Sequence, residues 1–291
     1  MKSSLVYSAA IAFVFSAHTL ALGAEDPVLN LTQYKDATSI KANQHKLVTV
    51  KLRGKVNHAG MPGVQDYRAV VAGVHVWLAE YPASKQLQIT SDEKGWWTMH
   101  VLKRKKTDIK ASFVYAKAGW VTTKTNVLTI KDKDDTDLAI QYIDPLFFQW
   151  LIKPGIELMM KDLLPPGADA TLKNAVVVTV GKSWASIHDD RLPHGDPGAT
   201  THAIAGAVGP LYFDESVKPN PSYKATSVDG GIAWLNVPKG THVLKTSKKG
   251  VKYCDVEFAI TDDDADDKVM LYIASPPDSV QGSNDSPPGK E

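Results

Sequence analysis

The sequence predicts an all-β protein: two tandem antiparallel β-sandwich domains joined by a short helical connector. Three observations lead there. Apolar residues recur with a period of two in short runs separated by Gly, Pro and Asp clusters, as in half-buried strands. One set of landmarks occurs twice along the chain, in the same order, which marks an internal repeat. Between the copies lies the one segment with a helical stripe.

Residues 1–24 read as a signal peptide. Lys2 precedes an apolar stretch from Leu5 to Ala17, and small residues gather at Ala21, Gly23 and Ala24, where a signal peptidase cuts. The stretch is too short to span a bilayer, so no integral membrane span is expected after cleavage and the chain is placed as secreted or periplasmic. Its single cysteine, Cys254, has no intramolecular partner and reads as a small buried hydrophobe.

The first sandwich is expected over 45–143. Val48, Val50 and Leu52 alternate with Thr49, Lys51 and Arg53, and Val74, Val76 and Leu78 alternate with His75 and Trp77. A connector over 144–167 follows from the stripe of Leu146, Phe147, Trp150 and Leu151, broken at Lys153–Pro154–Gly155 and ended by Pro165–Pro166. The second sandwich is expected over 174–275, from Val176, Val178, Val180 and from Val269, Leu271, Ile273. The tail over 276–291, rich in Pro, Ser, Gly and Asp, has the composition of a disordered segment.

The repeat aligns Thr90–Ser91 and Gly95–Trp96–Trp97 with Thr226–Ser227 and Gly231–Ile232–Ala233–Trp234, about 136 residues on, and Pro62–Gly63 with Pro197–Gly198. On that alignment the second copy carries an insertion of about nine residues around Ser183–His202. Gly60 to Val64, Val74 to Leu78 and Thr90 to Trp96, with Thr226 to Trp234 and Val237–Pro238–Lys239–Gly240–Thr241 in the second copy, resemble the transthyretin-like, carboxypeptidase-regulatory-type β-sandwich family. The resemblance implies accessory or binding modules. No hydroxyisourate-hydrolase signature accompanies it.

Lys+Arg 33 against Asp+Glu 32 leaves no bulk field to draw the chain onto nucleic acid, so none is expected as a partner. The densest polar cluster holds His188, Asp190, Arg191, His194, Asp196 and His202. Imidazoles and carboxylates suit Zn, Cu or Fe, yet no H-E-x-x-H or H-x-H pattern fixes their geometry, and an ion pair that orders the loop explains the same letters. A serine triad lacks a G-x-S-x-G elbow, and the ligand spacing of an intradiol-type iron dioxygenase does not align. Asp262, Asp264 and Asp266 keep a calcium-loop rhythm without its Gly and Glu. Trp96 and Trp97 point to opposite faces of one strand. Trp77 and Trp97, if they share a face, make a flat platform for a sugar or an aromatic ligand, with Arg191 as a further contact. The leading expectation is therefore a non-enzymatic binding or adhesion module for an extracellular or cell-envelope ligand, with no cofactor. A metal-dependent enzyme or metal carrier is the alternative.

Overall fold

A computed structural model describes residues 29–30, 47–58, 69–81, 88–143, 174–183, 195–261 and 270–274. Among them every regular element is a strand, and no helix is long and apolar enough to cross a membrane. The all-β expectation stands. The signal segment, the connector and the tail lie outside the described residues.

Through residue 143 the strands are β1 (Leu29–Asn30), β2 (Leu47–His58), β3 (His75–Leu78), β4 (Ile89–Thr90), β5 (Trp96–Arg104), β6 (Ile109–Ala111), β7 (Phe113–Ala116), β8 (Thr123–Lys124), β9 (Leu128–Ile130) and β10 (Asp135–Ile143). From 174 onward they are β11 (Ala175–Thr179), β12 (Thr200–Thr201), β13 (Val208–Tyr212), β14 (Gly231–Leu235), β15 (Gly240–Leu244), β16 (Thr246–Lys248), β17 (Val251–Lys252), β18 (Val256–Ile260) and β19 (Met270–Ala274).

The period-two runs become strands because one phase of each is apolar and has a core to face. In the first half, Val50, Leu52, Trp97, Met99 and Val101 of the β1-β5-β2-β10 sheet meet Val76, Leu78, Phe113 and Tyr115 of β3 and β7 in one buried cluster. The Trp97 ring lies 5.3 Å from Phe113 and 6.1 Å from Tyr115. In the second half, Val176, Val178, Ile232 and Trp234 of β11 and β14 meet Leu244, Val256, Phe258 and Ile260 of β15 and β18. Each half thus has a buried cluster of its own. Cys254 is half-buried and lies outside both clusters.

The two halves have backbone pairings in common. In both halves a central strand (β2, β11) pairs antiparallel with β5 or β14 and parallel with β10 or β19. Val56 N donates to Gly95 O and Val71 N to Val56 O; Val180 N donates to Gly230 O and Asp196 N to Val180 O. The Ser91 hydroxyl accepts from Val74 N and donates to Val71 O. The Thr226 hydroxyl accepts from Ala199 N and donates to Asp196 O.

These bonds correct the alignment read from the sequence. Gly95 corresponds to Gly230, not Gly231, so Trp97 takes the place of Ile232 and Met99 that of Trp234. Pro197–Gly198 corresponds to Ala72–Gly73, since Gly73 N donates to Ser91 O and Gly198 N to Thr226 O. All but one of the extra residues of the second copy therefore fall between Ala199 and Thr226, where Val74 to Ser91 is the shorter counterpart. Only one extra residue falls between Val180 and Asp196. A Pro-Gly pair is common turn chemistry and does not by itself mark equivalent positions.

The two halves also share a sheet. β19 runs parallel to β8, with Met270 beside Thr123 and Leu271 beside Lys124, so one eight-stranded sheet has the order β13-β14-β11-β19-β8-β7-β3-β4. Val127 N donates to Glu257 O, and Lys110 Nζ lies 2.7 Å from Glu257 Oε2.

Candidate binding face

β2 and β5 pair over nine residues, from Leu47 opposite Arg104 to Lys55 opposite Trp96. One phase of this ladder fills the core. The other carries Lys51, Arg53 and Lys55 from β2 against His100, Thr98 and Trp96 from β5. Lys51 is exposed, and the other five are half-buried. The Arg53 guanidinium carbon lies 3.9 Å from the centre of the Trp96 ring, and Lys55 Nζ lies 5.6 Å from it. Both distances are within cation–π range. Neither Arg53 nor Lys55 has a carboxylate partner among the described residues. At the neighbouring position, Asp134 Oδ1 accepts from Lys51 N at 2.8 Å. The face sets an indole beside two cations that have no carboxylate partner among the described residues, an arrangement able to take an anionic partner with a planar or ring-shaped body.

The Trp77/Trp97 platform is not formed. Trp97 is only 1% exposed and belongs to the core, while Trp77 takes the outward phase of β3, between the buried Val76 and Leu78. The outward tryptophan of the adjacent pair is Trp96. The sequence carried the signal: Trp97, Met99 and Val101 share the apolar phase, whereas Trp96, Thr98 and His100 share the polar one.

Of the proposed metal ligands, His188, Asp190 and His194, and with them Arg191, lie outside the described residues. His202 is exposed beside Thr201. Asp196 is buried, and donors already occupy its carboxylate: Lys248 Nζ on Oδ1 and the Tyr253 hydroxyl on Oδ2, the latter at 2.5 Å. Burial and the Asp196 carboxylate together push the Tyr253 phenol well above its usual range. This arrangement ties Lys248 of β16 and Tyr253 to the Pro197–Gly198 turn, with one donor on each oxygen of Asp196. Among the described residues, no group of three or more His, Cys, Asp or Glu side chains converges as a metal site.

The first acidic turn is structural as well. Asp132 accepts from the buried Lys103 ammonium and from Lys106 N, and these two donors hold its carboxyl below the usual range. The second turn, 262–267, lies outside the described residues. Asp229 behaves differently. It is 8% exposed, Oδ2 accepts from Gly231 N at 3.0 Å, and its pKa is pushed up to about 7. Burial is the main cause, and the Asp214 carboxylate adds to it.

No family model matches the chain, and no curated protein resembles it in sequence. Similar solved structures include the Bacillus anthracis TIE protein, at 11% identity and a TM-score of 0.22, covering 80% of this chain and 35% of that one. The CBM26-family module CBMbc of Eubacterium rectale Amy13K, solved with maltoheptaose, has 13% identity and a TM-score of 0.26, covering 84% of this chain and 100% of that one. The shaft pilin SpaA of Lactobacillus rhamnosus GG has 10% identity and a TM-score of 0.21, covering 80% of this chain and 99% of that one. The chain thus spans about a third of the length of the TIE protein.

Proposed function

We propose that this is a non-enzymatic binding or adhesion module that works outside the cytoplasm and grips an anionic polysaccharide on the outward face of β2 and β5. The observation that carries this reading is the Trp96 ring stacked under Arg53 and flanked by Lys55. A sugar ring presents an apolar face to an indole, and a carboxylated sugar adds the charge that Arg53, Lys55 and Lys51 answer. The N-terminal Lys2 and the apolar run to Ala17 support export. The recurring hydrogen-bond set around Ser91 and Thr226 supports reading the chain as a tandem pair of transthyretin-like units, with residues 144–167 as their helical connector.

The test is a pull-down on polygalacturonate, with neutral amylose as the control. The expected result is retention on polygalacturonate that weakens as salt is raised and falls about tenfold or more in Trp96→Ala. Equal retention of the wild type and Trp96→Ala, or no retention at all, overturns the proposal. The rival metal reading rests on His188, His194 and His202. Stoichiometric Zn, Cu or Fe in protein purified without a histidine tag favours that rival.

A further inference from the structure

At the end of β2, three pieces of chain border an open cleft of about 280 Å³ lined by His58, Ala69, Val70, Val71, Ala72, Lys117 and Trp120. Local chemistry builds each wall. His58 N donates to Ala69 O and Val71 N to Val56 O, so residues 69–71 extend the β2 ladder as one wall. Trp120 N donates to Lys117 O across a turn in which Gly119 takes φ +79°, a conformation that glycine adopts at no steric cost. The turn brings Lys117 and Trp120 together as the opposite wall, with Lys117 Nζ 4.9 Å from the centre of the indole ring. The imidazole of His58 meets that indole at 5.4 Å and 89°, edge to face. Lys117 Nζ also donates to Ala72 O at 2.8 Å, which pins the ammonium across the cleft.

We infer that this cleft is a binding site for a small aromatic carboxylate, separate from the β2–β5 face and independent of its function. Four features select that class. Lys117 has no carboxylate partner among the described residues, and an ammonium carries three donors, of which Ala72 O takes one. The charge asks for an anion. The walls opposite are apolar, and Val70 is 45% exposed, one of two large hydrophobic side chains so uncovered among the described residues. A flat hydrocarbon body regains there what it loses from water. The hydroxyls of a sugar would lose their water partners against Val70, Val71, Ala69 and Ala72 without replacement. The volume lies just below the usual range of ligand pockets, about 300–1,000 Å³, so one ring with one acid group fits.

The test titrates 15N-labelled full-length protein with sodium benzoate, and with benzyl alcohol as the uncharged comparison, while the Trp120 indole N–H signal is followed. Trp120→Phe assigns that signal. A saturable shift with benzoate, about tenfold weaker with benzyl alcohol, is expected. Lys117→Gln keeps a donor for Ala72 O and removes the charge, so it weakens benzoate about tenfold and leaves benzyl alcohol unchanged. Val70→Asp, at an exposed position, repels benzoate and tests the site should Lys117→Gln lose its fold. No saturable shift with benzoate, equal affinity for the two probes, or undiminished benzoate binding by a folded Lys117→Gln or Val70→Asp overturns the inference. None of these outcomes bears on polygalacturonate retention, which reads Trp96.

Discussion

Neighbouring tryptophans in one strand have opposite roles. Trp97→Ala empties the largest side chain of the first core and is expected to destabilise the fold by about 3–5 kcal/mol, read by denaturant unfolding. Trp96→Ala is expected to leave stability within about 1 kcal/mol while removing the contact proposed for an anionic glycan. Asp229 gives a pH signature. Unfolded, it loses its proton near pH 4; folded, it holds the proton to about pH 7. The folded state binds the extra proton between those values, so Asp229 makes stability fall as pH rises from about 4 to 7. Asp229→Asn retains an oxygen for Gly231 N and is expected to raise Tm by several degrees at pH 8, with little effect at pH 5. The opposite pattern, or no difference at either pH, refutes the burial argument. In the Asp196, Lys248 and Tyr253 network, Lys248→Met strands a buried carboxylate and is expected to cost about 3 kcal/mol or more, measured in the same assay.

At the scale of elements, the strands were legible because alternation is a local property and each run had a core to satisfy. Val50, Leu52, Val176 and Val178 all face inward as the pattern required. The side assignment of Trp96 and Trp97 was legible too, through the phase of Met99 and Val101. Three things were not. The registration of the two copies depends on hydroxyl-to-backbone bonds, and neither the bridging role of Ser91 and Thr226 nor the change of residue between them leaves a trace in spacing. The ion pair of Lys103 with Asp132 joins residues whose runs look separately like a basic patch and an acidic turn. The Lys117–Trp120 cleft draws its walls from three distant segments. The turns that lead into β5 and β14 rest on glycine. Gly95 and Gly230 take φ +74° and +78°, and a Cβ at either lies 2.6 or 2.5 Å from the carbonyl oxygen of Val56 or Val180. Gly95→Ala and Gly230→Ala are each expected to lose about 1–3 kcal/mol, and similar losses in the two would confirm that the positions are equivalent.

At the scale of the whole molecule, the two cores are separate but the sheet is not. β19 sits between β11 of the second half and β8 of the first. Thermal unfolding is accordingly expected as one transition. Leu271→Pro, which removes a backbone donor from a strand paired on both sides, is expected to split it into two, as followed by calorimetry. Two transitions already present in the wild type would show that β8 and β19 couple weakly.

That junction has a consequence for biosynthesis. β8 is complete once residue 124 has left the ribosome, yet its neighbour begins only at Met270. Throughout the intervening translation the nascent first half presents a bare strand edge, the kind of template on which chains pair with strangers. Closure of that edge is thereby tied to the synthesis of residues 270–274.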